Sequence, residues 1–446
     1  MSVTEHLSVT FSRPWWRRVL LAVICVYPVI GLVALWFDVT DGFGLSLLFD
    51  VAQLVLVWGG LLLLFAGTSK EEDDRYSLDT GFYLTRYRDE VGRVLAVRPG
   101  ADGGQVLTGL GRDAVEVLTG PAGEVPGLVV SHSVLEWAPS RPWPITDVRF
   151  EVGDDRYDLP WVIGEGGIER VLQRFNAESR RDYNGLTLAT RGWQADGDGI
   201  RLTFARSFYY SYFVTNMLPE VTVSGRLTYR DLLEPGPALN DLGGALPENH
   251  LGMSCLVRTA DGALVVPRRS QDTHVFKGQL SPSVSGGASP GSCRDAELGY
   301  SPLSWLVREL SEELPFLAGA DDVFPGGLRA ELARAVVLGM TRELRRCGKP
   351  ELFFFLDLPV PAARVRELAA RWRDDGSRPG IDHHENERVL VLDEAEVLAG
   401  LTTQTRGRGK GRRSDVVLTV AGAPYVVSES LLANLVLYGR LRQRLA

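Results

Sequence analysis

Three glutamates in the C-terminal half have the spacing that a metal-dependent reaction on phosphates would use. Glu309, Glu312 and Glu313 stand at i, i+3 and i+4, so on a helix their carboxylates project from one face. Oxygen ligands of this kind suit Mg²⁺ or Mn²⁺ bound together with substrate phosphates. The alternative is a solvated helix face in a chain with 56 acidic residues. The spacing alone leaves both interpretations open.

The residues before these glutamates predict the helix that carries them. Ser301-Pro302 is a helix start, with serine as the cap and proline at the first helical position. Apolar side chains then recur at helical spacing and predict one buried stripe. The stripe consists of Leu303, Leu306, Val307, Leu310 and Leu314.

Upstream of this helix the sequence predicts a hairpin and a phosphate-binding loop. Residues 251–270 form two β-prone runs joined at Asp261-Gly262, a strong hairpin signal. The following segment, 282–292, is rich in Gly and Ser, and Gly286 and Gly287 would let its backbone amides approach a ligand. Arg268 and Arg269 end the second strand beside this loop, where they would meet phosphate or form structural ion pairs.

The helix resembles the second half of the Nudix signature, G-x5-E-x7-R-E-U-x-E-E-x-G-U, in which U is aliphatic. Arg308, Glu309, Leu310, Glu312 and Glu313 match it residue for residue. The first half departs from the pattern, since more residues separate the glycines from the helix and the signature glutamate is at best Glu297. Pro315 replaces the final glycine.

The resemblance implies a Nudix-like α/β/α sandwich over residues 249–446. By the same resemblance Glu312 and Glu313 would hold Mg or Mn, Glu309 would act as ligand or base, and Arg308 would orient a carboxylate. The broken spacing puts the catalytic geometry in doubt, because small misplacements cost large factors in rate. The domain is therefore predicted to be a sensor that binds a nucleotide rather than an enzyme.

The N-terminal part predicts a two-helix transmembrane hairpin over residues 19–67, after a cytoplasmic segment 1–18. Two long apolar runs flank a link without Lys or Arg, while basic residues precede the first run and follow the second, so both termini are expected in the cytoplasm. Asp50, Gln53 and Gly60 lie on one stripe of the second run and would let helices associate in lipid. The alternative places Asp50 near the far interface of the membrane.

Composition limits the remaining choices of fold class and of binding partner. Residues 76–240 alternate β-prone runs with turn signals and predict a β-rich cytoplasmic domain. The net charge of −8 argues against a protein that coats a nucleic-acid polymer. The four cysteines stand too far apart for a zinc frame or a disulfide scaffold.

This domain order, a membrane α-hairpin, a β-rich middle domain and a Nudix-like end, resembles the membrane effectors of the CBASS anti-phage systems. The resemblance implies an inner-membrane protein whose partners are the lipid bilayer, a cyclic oligonucleotide made by a CD-NTase, and further copies of itself. The ligand would bind the Nudix-like domain, the hairpin would disrupt the membrane, and the infected cell would die by abortive infection. The alternative is a membrane-tethered Nudix pyrophosphohydrolase that cleaves a nucleoside diphosphate derivative.

Overall fold

The computed structural model of the chain describes ten stretches of residues. They are residues 80–100, 104–120, 123–163, 167–169, 184–197, 199–224, 227–270, 277–374, 386–406 and 413–445. Residues 78–162 and 185–446 form one compact unit, which contains the strands and helices named below. The second unit, residues 1–77 and 163–184, lies almost entirely outside the described ranges.

The predicted fold class is wrong, because the described residues form a β-rich protein around a mixed sheet and include no membrane hairpin. Within the described ranges, no helix is both long enough and apolar enough to cross a bilayer. The longest of these helices, Glu429–Leu445, has 17 residues and ends in basic side chains, whereas a span needs about 20 apolar residues. This finding overturns the membrane α-hairpin and the inner-membrane location inferred from it. The segment 19–67, with Asp50, Gln53 and Gly60, lies outside the described residues.

The described unit is rich in β-structure. Its strands are β1 (Val94–Arg98), β2 (Gln105–Thr108), β3 (Val129–Trp137), β4 (Trp143–Pro144), β5 (Val148–Arg156), β6 (Leu186–Asp196), β7 (Gly199–Phe208), β8 (Thr222–Ser224), β9 (Leu227–Thr228), β10 (Gly252–Arg258), β11 (Ala263–Arg269), β12 (Val284–Gly287), β13 (Arg294–Asp295), β14 (Gly299–Tyr300), β15 (Val336–Glu343), β16 (Lys349–Asp357), β17 (Asn386–Asp393), β18 (Leu401–Arg406), β19 (Arg413–Val420) and β20 (Ala423–Val426).

One mixed sheet runs through most of the unit, in the order β17-β11-β10-β16-β15-β3-β1-β2. β12 pairs with β10 and β4 pairs with β15. β10 and β16 are parallel, and the other pairs in this sheet are antiparallel. The sheet therefore joins strands from both sides of the predicted domain boundary near residues 240–249. Smaller sheets have the orders β5-β7-β6 and β18-β19-β20.

Helices cover both faces of the large sheet. They are α1 (Thr80–Arg86), α2 (Arg112–Thr119), α3 (Tyr209–Tyr212), α4 (Tyr229–Leu233), α5 (Pro290–Cys293), α6 (Pro302–Glu313), α7 (Pro315–Ala318), α8 (Leu328–Leu332), α9 (Ala362–Asp374), α10 (Glu394–Ala399) and α11 (Glu429–Leu445). Short 3-10 turns occupy Arg88–Arg93, Ile145–Asp147 and Leu344–Arg346.

Strand β16 shows how the sequence specifies a hydrophobic core on each face of the large sheet. Successive side chains of a strand point to opposite faces, so Phe354 joins one core while Phe353 and Phe355 join the other. The first core contains the apolar stripe of α6, with Leu310 fully buried, and the second contains the buried face of α11. Strands buried on both faces read as nearly continuous apolar runs, as LFFFL does here.

The predicted hairpin and helix are both present. β10 and β11 pair around the turn at Asp261-Gly262, where Gly262 adopts a φ of 87°, in the left-handed region that favours glycine. At the start of α6 the Ser301 hydroxyl accepts a hydrogen bond from the Leu303 amide at 3.1 Å. This cap fixes the register of the glutamates on the helix.

Candidate functional site

The structure directs Glu309 and Glu313 of α6 toward β12 and directs Glu312 away from them. Glu309 accepts a hydrogen bond at 3.0 Å from the indole Nε1 of Trp305, which is buried in the first core. Its carboxylate lies directly over Gly286 of β12, where an added Cβ would stand 2.4 Å from the carboxylate carbon. Glu309 is thus packed against the sheet.

Glu313 and Glu312 point to different partners. Buried Glu313 accepts a hydrogen bond from the Ser285 amide at 2.9 Å, and its Oε1 lies 3.9 Å from the Arg269 guanidinium. Glu312 instead accepts from Arg308 at 2.9 Å on the outer side of the helix. One glutamate therefore ties the helix to β11 and β12, and the other forms an outward-facing ion pair.

This arrangement does not fit a resident Mg²⁺ or Mn²⁺. The described ranges contain no group of three His, Cys, Asp or Glu side chains that could hold a metal ion. The donor set explains this, because Glu312 and Glu313 are engaged by cationic or amide groups of the protein itself.

The glycines of the predicted phosphate loop lie in a strand. Gly286 pairs with Met253 and Gly287 with Gly252 across β10 and β12. A Cβ at Gly287 would meet the His250 imidazole at 2.7 Å, so glycine is required there for close packing. The loop begins only after Gly287, and α5 follows with a capping box between Ser289 and Ser292.

The predicted phosphate-binding arginines also contact the protein. Arg268 donates to the Gly278 carbonyl at 3.2 Å, lies 3.4 Å from Glu387 and stacks over the Tyr425 ring at 5.7 Å. Arg269 is buried beside Glu313 and donates to the Ser285 hydroxyl at 3.5 Å. Of the sequence-predicted residues, the structure brings Arg269, Glu309, Glu313 and the Gly286 strand together as a packing junction.

These contacts predict that replacing Glu313 and replacing Glu312 by alanine will lower stability by different amounts. Glu313→Ala should lower the free energy of unfolding by about 2 to 3 kcal/mol, because it leaves a half-buried amide and a buried guanidinium without their carboxylate. Glu312→Ala should cost about 0.5 kcal/mol or less, because an i,i+4 surface ion pair contributes little. Urea unfolding of both variants measures the difference, and equal costs would contradict the assigned contacts.

A well-formed concave site lies elsewhere in the described unit. A cavity of 640 Å³ opens between β3, the loop 123–128, β18, β19 and α11. Its wall is apolar in part, through Leu128, Val130 and Leu432. The polar side chains that line it are Thr80, Glu124, His132, Gln279, Arg345, Thr402, Thr403, Ser414, Asp415 and Glu429. A pocket of this size with a few convergent polar groups is the usual form of a small-molecule site.

Three of these polar side chains form a line. Thr80 Oγ1 lies 3.0 Å from His132 Nε2, and His132 Nδ1 lies 3.5 Å from Glu429 Oε2. The other carboxylate oxygen of Glu429 accepts from the hydroxyls of Ser131 and Ser133, the latter at 2.9 Å. All three members of the line are buried at the cavity wall.

The electrostatics keep Glu429 ionised. Burial alone would raise the pKa of Glu429, but the hydrogen bond and the electrostatic attraction of His132, followed by the hydrogen bond from Ser131, outweigh it and lower this pKa to about 2. A carboxylate on the Nδ1 side favours a neutral imidazole with its proton on Nδ1. In that tautomer Nε2 accepts a hydrogen bond from the Thr80 hydroxyl. Tyr83 packs edge-on against the same imidazole at 5.4 Å between ring centroids.

Sequence reasoning missed this site because its members are far apart in the chain. Thr80 and His132 are 52 positions apart, and Ser131 and Glu429 are 298 positions apart. No spacing links them. The pairing of β15 with β3 brings the N-terminal strands beside the C-terminal ones, and α11 then places Glu429 against His132. The one local signal was a histidine between two serines in a β-prone run.

Comparisons with known proteins give no family for this chain. No family model and no curated protein match the sequence. Part of the chain is similar to a solved structure, the crystal structure of DR0079 from Deinococcus radiodurans. The identity is 16% over 32% of this chain and 67% of that chain, with a TM-score of 0.19, too low to define a shared fold. The comparisons thus support neither the Nudix assignment nor the CBASS assignment.

Proposed function

We propose that the described unit is a sensor that binds a nucleotide in the 640 Å³ cavity between β3, β18, β19 and α11. The observation that carries the proposal is the cavity itself. Its volume lies within the range of roughly 300 to 1,000 Å³ typical of small-molecule sites. A cyclic oligonucleotide, expected from the sequence, is one member of the proposed ligand class.

The lining suits a ligand that has both an anionic end and a flat heterocyclic end. Arg345 supplies a permanent positive charge for a phosphate. Glu124, Gln279 and Asp415 supply hydrogen-bond acceptors for the amino and imino groups of a base. The apolar wall would cover the faces of that base. A simple inorganic anion would use only the first of these features.

Binding without turnover at α6 is part of the proposal. The α6 carboxylates are held in protein contacts, so we expect no metal-dependent hydrolysis of nucleoside diphosphate derivatives there. Steady phosphate or mononucleotide release that requires Mg²⁺ and is lost in Glu312→Gln would contradict this part.

Calorimetry on the full chain with a panel of linear and cyclic nucleotides tests the binding proposal. Arg345→Met should weaken nucleotide affinity about tenfold or more, because a charge-assisted hydrogen bond contributes about 1.5 to 3 kcal/mol. Arg366→Met is the matched control, since it removes the same charge from a different and smaller pocket of 370 Å³ beside β17. Equal effects of the two variants, or no binding of any nucleotide, would overturn the proposal.

A further inference from the structure

The hydroxyl, imidazole and carboxylate at the cavity wall have the order and spacing of an activated nucleophile. The 3.0 Å separation of Thr80 Oγ1 and His132 Nε2 is within the range of about 2.6 to 3.2 Å that proton transfer needs. Glu429 lies on the other side of the ring, with Oε2 3.5 Å from Nδ1, and its negative charge there favours the tautomer with the proton on Nδ1. Ser131 and Ser133 fix the carboxylate in turn.

We infer that Thr80 is a nucleophile, that His132 is its general base, and that Glu429 is a positioning residue, for cleavage of a phosphodiester bound in the cavity. The inference rests on the proposed function in one respect, namely that the cavity admits a nucleotide. It goes beyond that function because it makes the cavity, and not α6, a reaction centre.

The reaction balances without a metal or a redox partner. Thr80 Oγ attacks phosphorus, its proton moves to His132 Nε2, and the bond from phosphorus to the leaving oxygen breaks as that oxygen takes the proton from His132. Water then attacks the phosphothreonine, giving one proton to His132. The bond between phosphorus and Oγ breaks, and His132 returns the proton to Thr80. Arg345 on the same cavity wall supplies positive charge for the phosphoryl oxygens.

Another hydroxyl of the same cavity provides the matched comparison. Thr402 also lines the cavity, but its hydroxyl donates to the Val417 carbonyl at 3.3 Å. A carbonyl cannot take up a proton at neutral pH, so this hydroxyl is not activated. Thr80 and Thr402 therefore share residue type and cavity and differ in their hydrogen-bond acceptor.

A fluorophosphonate probe tests the inference on the full chain and does not require the natural ligand. The probe forms a bond between its phosphorus and an activated hydroxyl, its phosphorus–fluorine bond breaks, fluoride leaves and the base takes the proton. Peptide mass spectrometry should find the adduct on Thr80 and none on Thr402. Thr80→Ala should abolish labelling and Thr80→Ser should retain it.

Variants of the other two residues separate catalysis from structure. His132→Ala should slow labelling about a hundredfold or more, the usual contribution of a general base, and added imidazole should restore part of the rate. Glu429→Gln should slow labelling, and Glu429→Asp should recover part of it, with thermal unfolding measured for each variant. Slowing that simply follows the loss of folded protein, with no recovery by imidazole or by aspartate, would overturn the assigned roles.

The outcomes distinguish this inference from the proposed function. Nucleotide binding by calorimetry with no label on Thr80 would overturn the inference and leave the sensor proposal standing. Label on Thr80 with no binding of any nucleotide would support an activated hydroxyl and overturn the choice of nucleotide as ligand. An adduct on Thr402 as abundant as that on Thr80 would show general exposure of hydroxyls and would also overturn the inference.

Discussion

Replacing Arg230 by methionine should lower the free energy of unfolding by about 3 to 5 kcal/mol. The Arg230 side chain is fully buried, and breaking a buried ion pair by removing one partner leaves the other charge uncompensated. Methionine keeps much of the apolar volume of the side chain, so the cost measures lost polar contacts more than a cavity. Urea unfolding of parent and variant, followed by circular dichroism, gives the value.

The contacts of Arg230 explain why this effect should be large. Its guanidinium donates to the Glu220 carboxylate at 2.6 Å, to the Tyr87 hydroxyl at 2.9 Å, and to the carbonyls of Leu344 and Arg345 at 2.7 and 2.6 Å. The same group lies over the Tyr83 and Tyr87 rings, at 5.2 and 5.8 Å from their centroids. The Tyr87 hydroxyl and the Leu344 carbonyl would be left in the interior without their donor.

The same substitution should also weaken nucleotide binding. Arg230 holds the carbonyls of the 3-10 turn Leu344–Arg346, and Arg345 of that turn lines the cavity. Arg201→Met is the matched control for stability, because Arg201 and its partner Glu151 are both exposed and the pair should contribute less than about 1 kcal/mol. A cost for Arg230→Met as small as that of the control would contradict the assigned network.

Local elements of the fold could be predicted from the sequence because local residues determine them. The cap at Ser301, the proline after it and the apolar stripe define α6, and Asp261-Gly262 defines the turn between β10 and β11. Both signals lie within a few residues of the structure they specify.

Longer-range features could not be predicted in this way. The sheet pairs β15 with β3 about two hundred positions away, and no short pattern encodes such a pairing. The stretch 232–250 has the proline and glycine content of a linker, but Leu233, Leu242 and Glu248 within it are buried. Carboxylate and amide side chains allow this burial, because they accept hydrogen bonds from backbone N–H groups of the stretch. In an exposed linker, water would accept those hydrogen bonds.

The glutamates of α6 show how far a motif specifies a site. Their spacing placed them correctly on one helix, but their chemistry depends on what the sheet presents to them. β12 presents the Ser285 amide to Glu313 and the bare backbone of Gly286 to Glu309. The sequence therefore predicted which residues lie at this junction. It did not predict that they pack against a strand, because the glycine-rich segment that forms β12 was interpreted as a loop.

Glu248→Gln should remove one source of the loss of stability between pH 4.5 and pH 7. Burial raises the pKa of Glu248 to about 7, against hydrogen bonds from Thr187 and Ser207 that lower it. In this window the folded chain keeps a proton that the unfolded chain has released, so stability falls as pH rises. The fall for one such group reaches about 3 kcal/mol above pH 7.

The glutamine variant should therefore be more stable than the parent at pH 8 and nearly equal to it at pH 4.5. Its amide oxygen can still accept the hydrogen bond that Thr187 donates to Glu248 at 2.8 Å. His250, whose pKa burial lowers to about 3, acts in the opposite sense up to its ordinary value near 6.5. The quantity to measure is therefore the difference in free energy of unfolding between variant and parent. The contribution of His250 is the same in both and cancels in this difference.

Glu234 provides a second test of the same effect. Burial also raises the pKa of Glu234 to about 7, so Glu234→Gln should give a difference curve of the same sign. A pH-independent difference for Glu248→Gln would mean that Glu248 ionises in the folded chain as easily as in water. The stretch 232–250 would then be opened to solvent, and it would have to be regarded as the linker that its composition suggests.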